Sequence, residues 1–190
     1  MTAKPKSNEP SRAAKPMVTV SLVIILIGLG VFLALGSSSG IAARRGIFGT
    51  KANLFSDLNL VAQIVLLLGL SIGAVFARRG HITTHQYSQT FWVLFNILLT
   101  IFIMVVAYDK YVIPGLPGNL SQAFGLVSTI HAALGILAIG CGVYLILRMN
   151  RLIPEKWRIK GWKRLMRVTL ALYLLVGLLG LGIYYVWYVR

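Results

Sequence analysis

Five long apolar stretches joined by short, mostly basic connections predict an all-α integral membrane bundle of five transmembrane helices. Hydrophobic residues make up 57% of the chain and charged residues 12%, about half the charge share of a soluble domain. Each stretch approaches or exceeds the ~20 residues that cross a ~30 Å hydrocarbon core as a helix. None of the five carries Lys, Arg, Asp or Glu in its central part.

Residues 1–16 are polar and rich in Pro and Lys, the composition of a flexible tail. A single transmembrane domain follows over 17–190, with spans at about 17–36, 55–77, 84–108, 120–147 and 165–189. The first stretch follows basic residues and precedes small ones (Ser37, Ser38, Ser39, Gly40). Its length nevertheless favours a retained anchor over the shorter apolar run of a cleaved signal. Between the third and fourth spans, Pro114, Gly115, Pro117 and Gly118 mark a tight turn. Tyr184, Tyr185, Trp187 and Tyr188 form an aromatic belt at the end of the fifth.

Basic residues set the orientation. With the N-terminus inside, the inner segments hold Lys4, Lys6, Arg12, Lys15, Arg78, Arg79, Arg148, Arg151, Lys156, Arg158, Lys160, Lys163, Arg164 and Arg167. The outer side holds Arg44, Arg45, Lys51, Lys110 and Arg190. Fourteen against five places the N-terminus in the cytoplasm and the C-terminus outside. The same distribution explains the net charge of +15 without nucleic acid, since the cations lie between spans. The loop 148–167 is expected to lie along anionic lipid headgroups, with Trp157 and Trp162 at the interface.

Helices associate in lipid through close backbone approach and polar side chains. The fourth span carries a seam of small residues, Ser121, Gly125, Ser128, Ala132, Gly135 and Gly142, which predicts a central helix. Gly69 and Gly73 make a GxxxG in the second span, where Asn59 and Gln63 share a face; Asn96 and Thr100 share one in the third. Cys141 lies within an apolar run and reads as a small apolar residue.

Three histidines are the candidate ligands. An ionisable group inside a span faces the bundle interior and serves a proton path, a metal or a cofactor, and His131 is so placed. His81 and His85 stand four apart at the start of the third span, the spacing that puts two ligands on one helix face. Gly80 just before them points to a helix start that leaves His81 frayed. His131 and His85 are the candidate cofactor-binding residues, and His131, His85 and His81 the candidate metal ligands. His85 near the inner surface and His131 nearer the outer one differ in depth by about 10 Å, which disfavours one haem bridged by both in a single copy. The chain has no P-loop, GxSxG or HExxH motif, and no catalytic residue is assigned. Asp109, at the outer end of the third span, reads as the carboxylate nearest His131.

From Asp57 to Tyr188 the order of elements resembles a bacterial family of small uncharacterised membrane proteins known for four histidines. The matching stretches are Leu58-Asn59, Arg78-Arg79 followed by His85, Tyr108, His131, the basic run, and Gly177 and Gly180 before a Tyr-rich end. Some members are implicated in maturing haem–copper terminal oxidases. The resemblance implies two inner and two outer histidines. His85 matches one inner and His131 one outer position, while the others fall near Trp162 and Tyr111.

The expected function is an accessory or assembly protein of a respiratory or other redox complex in the bacterial cytoplasmic (inner) membrane. It would bind other membrane-protein subunits and hold copper or haem transiently. The alternatives are a b-type haem electron-transfer subunit and a purely structural subunit.

Overall fold

The computed structural model describes residues 19–28, 30 and 44–190. The tail 1–16 and residues 17–18, 29 and 31–36 of the first apolar stretch lie outside the described residues. Within that stretch, α1 (Thr19–Gly28) is a short apolar helix whose Ser21 and Ile25, one turn apart, are buried. The chain continues as α2 (Leu54–Arg78) and α3 (Ile82–Leu99), which runs through a π-helical turn (Thr100–Met104) into α4 (Val105–Tyr111). Next come α5 (Ala123–Met149) and α6 (Trp162–Tyr188). The protein is all-helical among the described residues, and four apolar helical stretches are long enough to span a membrane: Leu54–Arg78, Ile82–Gly115, Gly125–Met149 and Trp162–Tyr188.

Local chemistry sets the helix ends. Asn53 caps α2 by accepting from the Ser56 N–H at 2.8 Å. At its other end Gly80 has φ +83. Gly80 N–H then bonds the Ala77 carbonyl and His81 N–H the Phe76 carbonyl, the pair of bonds that closes a helix in a Schellman turn. Helix α5 ends in the same way through Arg151, at φ 57, and Leu152.

The long helices form a ring in which α2 packs on α3, α3 on α5, α5 on α6, and α6 back on α2. The seam on α5 predicts a central helix, but α5 occupies one corner of this ring. Four helices of similar length each bury one face and leave the other for lipid. Accordingly Val61, Ile64, Val65, Leu68 and Ile72 of α2, and Leu174, Leu175 and Leu178 of α6, are exposed. Leu66, Leu70, Val93, Ala138, Ile146 and Tyr173 make the shared core.

Glycine sets the closest approach. A methyl at Gly69 would overlap the Trp92 indole, and one at Gly73 would overlap the Gln89 amide. Both residues of the GxxxG pair therefore serve the α2–α3 contact. Gln89 Nε2 also donates to the Leu70 carbonyl at 2.8 Å.

The bundle has two chemically different ends. The basic end gathers Arg78, Arg79 and the 148–167 segment; the tyrosine end gathers residues 44–57, Tyr184 and Tyr188. At the basic end the loop after α5 is folded rather than extended. Tyr144 donates to the Trp157 carbonyl and accepts from the Ile159 N–H, while Gln86 of α3 donates to the Met149 carbonyl and to Asn150 Oδ1. Lys156, Lys160, Lys163, Arg164 and Arg167 remain exposed.

Candidate functional site

Polar side chains enter the apolar bundle at three levels. The first, at the tyrosine end, is built around Asp57 in the opening turn of α2. This carboxylate is fully buried. Oδ2 accepts from the Phe48 N–H at 3.0 Å and Oδ1 accepts from the Tyr184 hydroxyl of α6. Tyr184 donates its only proton there, so the Thr50 hydroxyl, 3.0 Å away, must be the donor between those two. Thr50 in turn accepts from the Ala52 N–H at 3.2 Å. One turn further, Ser56 donates to the Tyr188 hydroxyl at 3.0 Å, and the Lys51 N–H donates to the Tyr188 carbonyl. The network ties residues 44–53 to both α2 and α6.

The second level contains His131. Its ring lies against Gly180 of α6, where a Cβ would sit 3.4 Å from Cε1, and beside the Val176 backbone. Two contacts place the opposing residues of α2, which runs antiparallel to α6. Leu67 packs over Gly177, leaving no space for a methyl, and Asp57 meets Tyr184. Interpolation between them sets Gln63 opposite Gly180. Gln63 and His131 thus approach one level from α2 and α5. Four polar atoms near this level are buried without a hydrogen-bond partner: Asn59 Oδ1, Gln63 Nε2, Ser128 Oγ and His131 Nδ1. Such atoms are rare in folded proteins, and in lipid no bulk solvent relieves them.

The third level is nearer the basic end. His85 is buried, with Nδ1 2.8 Å from the Gly73 carbonyl. A carbonyl only accepts, so Nδ1 carries the proton, and in the neutral ring Nε2 keeps its lone pair. Nε2 is buried and unpartnered. A ring that donates one N–H to a carbonyl and presents the other nitrogen is arranged as a metal-ligating histidine is. Thr90 and Asn150, both buried, bond each other at 3.3 Å and join α3 to the end of α5.

His131 and His85 are far apart along the bundle. His131 is level with Gln63 and His85 with Gly73, ten residues of α2 and about 15 Å of helix away. One haem cannot take both as axial ligands within a single copy. His81 is exposed at the N-cap of α3, while its neighbour His85 is buried. Among the described residues, no three His, Cys, Asp or Glu side chains gather where they would hold a metal ion. Cys141 lies near the Tyr173 hydroxyl, itself packed over Gly142.

Asp57 is the residue that sequence reasoning missed. An acid in the first turn of a helix reads as a favourable partner of the helix dipole. Its burial under the preceding loop has no signature of its own. Asp109, the carboxylate nearest His131 by position in the sequence and expected in water at the end of its span, is exposed.

Fold and polar levels together define a class: an all-helical protein suited to several membrane crossings, with buried, unpaired polar groups at two depths. No family model matches the chain, and no curated protein or solved structure does either. The likeness to the four-histidine family therefore rests on the residues quoted for it.

Proposed function

We propose that this protein is an accessory or assembly factor of a redox membrane complex, holding copper or haem transiently through single imidazoles at His131 and His85. The observation that carries the reading is that His131, partly buried, and His85, fully buried, each keep one buried ring nitrogen unpartnered, at depths about 15 Å apart. Cu(I) and haem iron both accept an imidazole nitrogen. A site with one imidazole and neighbouring neutral amides suits a cargo that is handed on. A resident b-type haem spanning both histidines would need them at one depth. In the full arrangement α1 belongs to a fifth span, the N-terminus and the basic end face the cytoplasm of a bacterial inner membrane, and the C-terminus lies outside. The fourteen-to-five split of Lys and Arg supports that orientation.

The test is a reduced-minus-oxidised optical spectrum with metal analysis on protein purified in mild detergent, alongside His131→Ala and His85→Ala. Substoichiometric copper or haem, lowered in either variant, is the expected result. A stoichiometric Soret band that survives both substitutions, or protein that takes up neither group when loaded with haem or Cu(I), overturns the reading. Reporter fusions at residues 1 and 190 test the orientation: opposite sides are expected, and the same side removes the fifth span.

A further inference from the structure

Basic residues gather where orientation least explains them. Cations are favoured at the cytoplasmic end of a membrane bundle, and the tyrosine end has only five of the fifteen among the described residues. Three of these, Arg44, Arg45 and Lys51, nevertheless line one cavity of about 640 Å³, together with Thr50, Asn53 and Tyr188. A fourth, Arg190, is joined to Lys51, whose Nζ donates to the Arg190 main-chain oxygen at 3.4 Å.

No acid lines the cavity. Asp57, the acid nearest in the fold, is sealed beneath the loop with both oxygens bonded. Among the described residues, the direct pair of Arg158 with Glu155 lies at the opposite end. Three cations thus share one concavity with no acidic side chain in its wall; Lys51 also meets the Arg190 main-chain oxygen, so Arg44 and Arg45 carry most of the positive potential there.

The frame carrying them is fixed. Gly46 N–H bonds the Ala52 carbonyl at 3.0 Å, Leu54 N–H the Arg44 carbonyl at 3.1 Å, and Lys51 N–H the Tyr188 carbonyl at 3.0 Å. These bonds fix the backbone from which the three exposed cationic side chains project, so binding has to order side chains but not the loop. The positive end of the α2 dipole adds to the same field. Two arginines and a lysine form a donor set for a phosphate group, with planar forks and a point charge.

We propose that this cavity binds a phosphate group, presented by an anionic phospholipid headgroup or by a soluble phosphate compound. Its place beside Tyr184 and Tyr188, residues typical of a membrane interface, puts it within reach of both sources. The proposal does not depend on His131 or His85.

The test follows thermal melting of the full chain in neutral detergent, with inorganic phosphate in one arm and phosphatidylglycerol against phosphatidylcholine in another. Variants are Arg44→Gln with Arg45→Gln and Lys51→Gln, the single Lys51→Gln, and a basic-end control, Lys160→Gln with Lys163→Gln and Arg164→Gln. The expected result is stabilisation by at least one phosphate source, with apparent affinity about tenfold or more weaker in the triple variant. The control keeps its full response in the inorganic-phosphate arm. In the lipid arm the triple variant is compared with wild type alone, because the control's cations belong to the loop expected on anionic headgroups. Stabilisation by phosphatidylglycerol alone assigns a lipid; stabilisation by inorganic phosphate assigns a soluble anion. No response from wild type, or an equal response from the triple variant, overturns the proposal. If the triple variant fails to fold, Lys51→Gln decides on the same criterion, because its backbone bond to Tyr188 is retained.

Discussion

The Asp57 network and the His131 level sit in neighbouring parts of one bundle and are built in opposite ways. Around Asp57 the donors and acceptors close on each other: Ala52 to Thr50, Thr50 to Tyr184, Tyr184 to Asp57, and Phe48 to Asp57. Around His131, buried atoms of Asn59, Gln63, Ser128 and His131 have no partner. A saturated network holds a loop in place and has nothing left with which to bind. An unsaturated one costs stability in lipid and gains it back when something polar enters. The first region holds the loop through its own closed bonds, and the second keeps buried polar atoms open, the contrast on which the proposed cargo site at His131 rests.

Removing the saturated network should have the largest effect. Asp57→Ala leaves the Phe48 N–H without an acceptor and the Tyr184 hydroxyl with Thr50 as its one partner, at about 3 kcal/mol for two lost bonds to a carboxylate. Thermal melting should register that loss, and trypsin should cut at Arg44 and Arg45 far faster once the loop is released. Unchanged cleavage would mean that other contacts hold the loop.

Gly69→Ala comes next, since its methyl would overlap the Trp92 indole. A loss of about 2 kcal/mol is expected, against little change for Gly135→Ala, where a Cβ would sit 4.0 Å from Val176 Cγ1. Equal melting of the two variants would refute the α2–α3 packing described above.

The two histidines sharpen the contrast further. His85→Phe removes the bond to the Gly73 carbonyl and should cost about 1 kcal/mol. His131→Leu removes the unpartnered Nδ1 together with the ring's bond to the Val176 backbone, so the ligand-free protein should lose no more than about 1 kcal/mol. A loss as large as that of Asp57→Ala would show that His131 is held as firmly as the carboxylate, and the distinction between the two regions would fall.

Much of the fold was legible because the membrane constrains it so strongly. Length and apolarity marked the four long helices to within a few residues, and Gly80 marked the start of the helix that His81 caps. The GxxxG of Gly69 and Gly73 marked a close contact, but which helix would fill it was open until Trp92 and Gln89 occupied the space. The seam on α5 was misread as the mark of a central helix, because small residues report close approach without saying how many neighbours approach. Tyr184 and Tyr188 read as an interfacial belt. Their hydroxyls also bond Asp57 and Ser56, partners more than a hundred residues away.

Apolar length and the absence of central charges determined from sequence alone that this chain forms long helices suited to a bilayer. Backbone groups there must be satisfied within the segment, and only helices and closed barrels do so. Spacing along the chain also indicated that His85 and His131 lie at different depths. Tertiary structure alone decided which polar atoms are paired. Whether an acid such as Asp57 is locked away, or a ring such as His131 left open, depends on which helix lies opposite it, and contacts between distant segments leave no periodic trace in the sequence.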